Sequence, residues 1–152
     1  MRVVVSALAL AGLAVSVAAL RVHNMDPGLA PPCAVSEHWD CGAVNHSRFA
    51  DFPPKTFNEP AGKKHVPVAV FGIVGYALMF LFAALGRWWI TLVLAEMGFA
   101  AACMLSYIEA FVLQKWCIYC VWSQALVTAV LLGTIVALVL RRMELRRVPL
   151  IA

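Results

Sequence analysis

Cys117-Ile118-Tyr119-Cys120 holds two thiols three positions apart, and Cys33 and Cys41 are a second pair eight positions apart. A thiolate attacks disulfide sulfur, so two such pairs that meet in space can pass electrons by exchanging bonds. At a helix start, Cys117 and Cys120 share one face. The free N–H groups and dipole there favour a thiolate, above all at Cys117. The plainer reading of that pair is two small buried hydrophobic residues, while zinc would need ligands converging from elsewhere. Cys33 and Cys41 admit three readings. They form a second exchangeable pair, a structural disulfide in an oxidising compartment, or half of a Cys33, His38, Cys41, His46 metal run. The metal run is too short to match a familiar folded zinc site, so no metal is expected. His38 and His46 then read as solvated loop residues or as bases near a thiol. An exchangeable pair is the most economical account, since it gives the first pair something to exchange with.

The elements that must position these thiols are membrane helices. Of 152 residues, 63% are hydrophobic and only 13% charged, with a mean hydropathy of +0.86. So much apolar surface needs lipid as its solvent. Apolar runs over about residues 3–20, 66–85, 88–113 and 117–140 predict an all-α integral membrane protein, a four-transmembrane-helix bundle. Nothing outside those spans is long enough for a second core, so residues 1–152 read as a single domain. The first run resembles a signal peptide, with Arg2 ahead of it and Val17-Ala18-Ala19 near its end. Its length exceeds the ~7–15 residues of an ordinary signal core, which favours a retained helix.

Between the first two spans lies a long polar loop, residues 21–65, rich in turns at Pro27, Pro31, Pro32, Pro53, Pro54 and Pro60. It leaves room for a short helix within Ser36–His46. Pro67 suits the first turn of the second span, and Gly72 and Gly75 permit a close helix neighbour. Gly86-Arg87 and Gln114-Lys115-Trp116 read as tight turns, and Trp88, Trp89, Trp116 and Trp122 fall near span ends as interfacial anchors.

Orientation follows from the basic residues. With the N-terminus inside, Arg2, Arg87, Arg141, Arg142, Arg146 and Arg147 are cytoplasmic, in short segments. Arg21, Arg48, Lys55, Lys63, Lys64 and Lys115 fall outside, mostly spread along an acid-containing loop. The rule weights short loops near span ends, so the long loop is placed on the non-cytoplasmic side. Both cysteine pairs then share that side, a placement that the basic residues give independently of the cysteines. The net charge of +4 reads as orientation, with no nucleic-acid partner. Mid-span Cys103 reads as a packing residue. Glu96 and Glu109 are acids within the third span, and no step is assigned to either.

This set resembles the vitamin K epoxide reductase family, including its bacterial disulfide-forming members. The resemblance covers most of the chain. It rests on Cys33 and Cys41, then Ser47-Arg48-Phe49, then Val70-Phe71-Gly72 opening a helix, then Cys117-Ile118-Tyr119-Cys120 opening the last. The resemblance implies an electron relay. A separate thioredoxin-like partner in the exported compartment reduces a Cys33–Cys41 disulfide, with Cys33 as its contact. Cys41 passes electrons to Cys117 through a transient link, and Cys120 delivers them to a small-molecule quinone of the menaquinone, ubiquinone or phylloquinone type. It also implies a multi-pass protein of the bacterial inner membrane, its redox loop periplasmic. Phe71, Tyr119, Trp122 and Gln124 are expected to line the quinone pocket, with Val44, Ser47 and Phe49 in a cap above it. The animal enzymes carry a ring-binding tyrosine where Gln124 stands and an asparagine near Val68. Those departures favour quinone reduction over the epoxide reduction of a carboxylation cycle. The reading from another class is a non-catalytic membrane scaffold with a stapled or zinc-bound loop.

Overall fold

A computed structural model describes residues 1–28, 33–56 and 64–147. Pro31, Pro32, Pro60 and Lys63 lie outside the described residues, as do the side chains of Arg146 and Arg147. Each apolar run is a helix. They are α1 (Arg2–His23), α3 (Val68–Ala84), α4 (Trp88–Tyr107) and α5 (Ile118–Arg147), with the short α2 (Cys41–Asn45) in the loop. Two strands, β1 (Asp51–Phe52) and β2 (Val66–Pro67), pair antiparallel with Asp51 opposite Pro67. They fold the end of the loop back to the start of α3.

Three helices are long and apolar enough to cross a membrane: α1, α4 with its extension to Leu113, and α5. The expected second span is shorter, an apolar helix of 17 residues, because Val66 and Pro67 are taken up by the strand pair. At 1.5 Å per residue it measures about 26 Å, against roughly 30 Å of bilayer hydrocarbon. The loop helix is also narrower than Ser36–His46. It begins where the Asp40 side chain accepts the Ala43 N–H (3.0 Å), an N-cap bond.

The four long helices close a ring in which α1 packs on α3 and α5, and α4 packs on the same two. Val5, Ala9, Tyr76, Met79, Ala83, Ala95, Val127 and Val130 fill the middle. Small residues decide how close the helices come. At Gly12 any side chain would collide with the Tyr76 ring, and at Gly72 a Cβ would sit 2.8 Å from the Ser16 hydroxyl oxygen. Gly75, expected to admit a neighbouring helix, faces open space instead. The α3–α4 turn uses Gly86 at φ +69°, a backbone conformation other residues rarely adopt.

The two ends of the bundle differ. Arg2 packs against Gly86, and the Arg142 guanidinium lies 5.8 Å from the Trp89 ring centre. One end therefore gathers the start of α1, the α3–α4 turn and the emerging part of α5. The loop and all the cysteines but Cys103 are at the other.

Candidate active site

The site is built on the segment joining α4 to α5. After Tyr107 the helix widens into a π-helical stretch, Ile108–Leu113, which ends at Gln114 with φ 52° in the left-handed region. Such π turns are frequent at functional sites because they re-aim side chains. Here the effect is to turn Glu109 inward. It is 2% exposed, and its Oε2 accepts the Cys117 backbone N–H at 3.0 Å. Cys117 sits just ahead of α5, where its carbonyl accepts the first helical bond from the Val121 N–H (3.1 Å).

The loop reaches this point through its backbone. Trp39 and Trp116 form a parallel bridge, in which the Trp116 N–H donates to the His38 carbonyl (2.7 Å) and the Asp40 N–H to the Trp116 carbonyl (3.1 Å). Lys115 adds an ion pair with Asp40 at 3.6 Å. Cys117 follows Trp116 directly, and Cys41 follows Trp39 by two residues. Paired strands lie about 4.8 Å apart, so this bridge brings the two thiol-bearing segments together. Asn45 ties them further: its amide nitrogen donates to the Cys41 carbonyl (2.9 Å) and lies 3.5 Å from the Cys117 sulfur.

Cys33, Cys41, Val22, Val44 and Cys117 form one buried cluster, with Leu113, Tyr119 and Cys120 packed on it. Cys33 and Cys41 are paired as a disulfide, their Cα atoms 5.7 Å apart. Cys117 and Cys120 are free thiols. The Cys120 thiol is hydrogen-bonded to Cys117, and chiefly for that reason the Cys117 thiol is held below the ordinary thiol range. Burial and the nearby Glu109 carboxylate oppose that shift without overcoming it.

Beneath the cluster is a cavity of about 350 Å³. Cys120 and Glu109 are in its wall. Val44, Ser47 and Phe49 line it from the loop, and Phe71, Gly72, Tyr76 and Met97 line it from the helices. Exposed Phe71 on α3 and exposed Met97 on α4 both belong to the lining, so the cavity opens sideways between these helices. Across it the Tyr76 hydroxyl donates to the Ser123 carbonyl at 2.7 Å, joining α3 to α5.

Of the pocket residues expected from the sequence, Phe71 and Tyr119 are in the lining, whereas Trp122 and Gln124 are outside it. Trp122 points outward from α5, 57% exposed. The Gln124 amide nitrogen donates to the Cys103 sulfur at 3.4 Å, so a position taken from the family pattern is committed to the α4–α5 contact. Cys103 is itself exposed, which corrects its reading as an interior packing residue. His46 directs Nδ1 to the Gly42 carbonyl (2.9 Å) and Nε2 to the Met25 carbonyl (3.0 Å). The metal run is not assembled, and no metal-binding group of three or more His, Cys, Asp or Glu occurs among the described residues.

Sequence reasoning missed three contributors. Asn45 looks like an ordinary turn residue. His23 closes α1 and holds the loop, with Nδ1 donating to the Asn45 carbonyl (2.6 Å) and Nε2 3.5 Å from buried Asp51. Glu109 stood out as an acid in a span, but nothing in the spacing tied it to Cys117.

Direct comparison with curated proteins finds no match. The sequence profile of the Vitamin K epoxide reductase family matches residues 3–135, most of the chain, including all five cysteines, both walls of the cavity, all of α4, nearly all of α1 and the first part of α5. The chain belongs to the vitamin K epoxide reductase family, whose members are membrane oxidoreductases.

Proposed function

We propose that this protein is a quinone-dependent thiol–disulfide oxidoreductase that supports disulfide formation in exported proteins. The observation that carries this reading is the gathering of Cys33, Cys41, Cys117 and Cys120 in one cluster, with Cys120 in the wall of an apolar cavity. Sulfur pairs so arranged can exchange bonds. A cavity of this size falls within the range that holds small molecules, and its lateral opening suits a substrate dissolved in lipid.

The relay begins with a dithiol on a separate thioredoxin-like protein. Its thiolate attacks Cys33, the more accessible of the pair at 8% exposure against 0% for Cys41. The partner leaves as a disulfide, and Cys33 and Cys41 become thiols. The Cys41 thiolate then attacks Cys117 in a Cys117–Cys120 disulfide, forming Cys41–Cys117 and releasing Cys120. Attack by Cys33 on Cys41 restores the outer disulfide and frees Cys117. The arrangement described above, outer pair oxidised and inner pair reduced, corresponds to the protein with two electrons ready for quinone. Quinone is the substrate that removes them as quinol, and Phe71, Tyr119, Phe49 and Cys120 are placed to hold it.

The whole acts as one membrane domain, with α3 crossing as the fourth span at the short end of the usual range. The arginine-bearing end faces the cytoplasm of a bacterial inner membrane, and the sulfur end faces the exported compartment. Purified protein in vesicles, given a reduced thioredoxin-like protein and a short-chain quinone, is expected to form quinol. The Cys33→Ala, Cys41→Ala, Cys117→Ala and Cys120→Ala proteins are each expected to abolish it. Quinol formation that survives loss of Cys33 or Cys41 would refute the relay.

A further inference from the structure

Turning a quinone into a quinol takes up two protons with the two electrons, and an apolar cavity offers few groups to carry them. Among the described lining residues, His23, Tyr76, Tyr119, Cys120 and Glu109 are the side chains with an ionisable proton. Two are occupied elsewhere. Tyr76 donates its proton to the Ser123 carbonyl, and His23 is turned to Asn45 and Asp51. Glu109 alone among them accepts the Cys117 N–H, and it shares the cavity wall with Cys120. It is 2% exposed, and its second oxygen, Oε1, is buried without a hydrogen-bond partner among the described residues. A carboxylate held that way inside an apolar bundle is costly, and a neutral side chain would pack there at less expense. An acid at such depth with an open acceptor position is a feature that packing does not explain.

We propose that Glu109 is the proton carrier of the last step, moving thiol protons from the Cys117/Cys120 pair to the carbonyl oxygens of the quinone. The assignment rests on the quinone reading above. In the step two S–H bonds break, one S–S bond forms and two O–H bonds form, so sulfur supplies both electrons and both protons. The Glu109 carboxylate takes the Cys120 proton as that sulfur turns nucleophilic, releases it to a ring oxygen, and repeats the transfer for the Cys117 proton. It finishes as the carboxylate it was, and the disulfide and quinol are the net products.

The test compares wild type, Glu109→Gln and Glu109→Asp as full-length proteins by three measurements. These are binding of a short-chain quinone, disulfide transfer between the two cysteine pairs without quinone (by thiol trapping after a dithiol pulse), and quinol formation. Gln keeps an oxygen for the Cys117 N–H but cannot carry a proton. Its binding and quinone-free transfer are expected within about threefold of wild type, while quinol formation falls about 100-fold or more. The Asp variant is expected to exchange normally and to form quinol at an intermediate rate. Should the Gln protein fail to fold, that intermediate rate with intact exchange decides. Wild-type quinol formation by Glu109→Gln would overturn the proposal, and so would an equal loss of all three activities, which would make Glu109 a structural residue. A wild-type protein that exchanges its disulfides but reduces no quinone would instead sink the quinone reading itself.

Discussion

Asn45 touches both halves of the exchange with a single amide nitrogen, at the Cys41 carbonyl and at the Cys117 sulfur. Losing that orientation costs the order of one hydrogen bond, about 1 kcal/mol. Asn45→Ala is therefore expected to slow disulfide transfer between the pairs roughly five- to tenfold, with quinol formation from pre-reduced Cys117/Cys120 unchanged. Stopped thiol trapping separates the two steps. The Cys117 thiol gives a second prediction. Its affinity for the proton is lowered mainly by the Cys120 thiol, so Cys117 gives up its proton more readily than a free cysteine. Its alkylation rate in the reduced protein is expected to hold up to lower pH than that of a free cysteine. In Cys120→Ala the inflection moves up. An inflection that stays in place would show that Cys120 has no hold on it. At this scale Cys117 and Cys120 were legible because thiols at Cys-x-x-Cys spacing carry specific chemistry, and Cys33 and Cys41 were legible as a second pair for them to exchange with. Asn45 was not, since asparagine in a loop commonly makes turns. Gln124 was placed in the pocket by analogy, and its amide nitrogen bonds Cys103 instead.

The helices were legible from their uninterrupted apolar runs, with α4 taken on to Leu113, to within three residues at each end except at the end of α5, which runs on to Arg147 past the expected 140. What the pattern did not give is the contact between distant segments. The Trp39–Trp116 bridge is made by backbone groups, which every residue carries, so no side-chain pattern announces it. The shortening of α3 has the same origin: Val66 and Pro67 look like the start of a helix until β1 is there to pair with them. The π turn at Ile108–Leu113 likewise leaves no mark in an apolar run. At this scale the sensitive spot is Gly12, where α1 meets the Tyr76 ring. Gly12→Leu is expected to push Tyr76 from Ser123, narrow the cavity and destabilise the bundle by about 1–3 kcal/mol. Tyr76→Phe, which only removes the bond across the cavity, is expected to cost about 1 kcal/mol. Denaturation in detergent, followed by tryptophan fluorescence, compares them. Equal and negligible effects would show that the α1–α3 contact is slack.

For the molecule as a whole, the distribution of charge and sulfur defines two ends, and the proposal assigns the sulfur end to the outside. Single cysteines substituted at Lys55 and at Arg87, in a protein lacking native cysteines, are expected to react with a charged, membrane-impermeant maleimide from opposite sides of sealed vesicles. The same labelling tests whether α3 crosses, because an α3 that lies in the interface would put both positions on one side. Arg2 and Arg142 lie at one end of the bundle and the loop cysteines at the other, as the alternation of apolar runs predicts. In the proposed relay the outer and inner pairs exchange through one defined bond. The most direct test of that exchange is disulfide mapping by mass spectrometry in Cys120→Ala after rapid trapping of free thiols. There the Cys117 thiolate has no neighbour to close on and attacks the Cys33–Cys41 disulfide at Cys41. The expected result is a Cys41–Cys117 link with Cys33 free. Recovery of an intact Cys33–Cys41 bond with Cys117 free, or of a Cys33–Cys117 link, would contradict it.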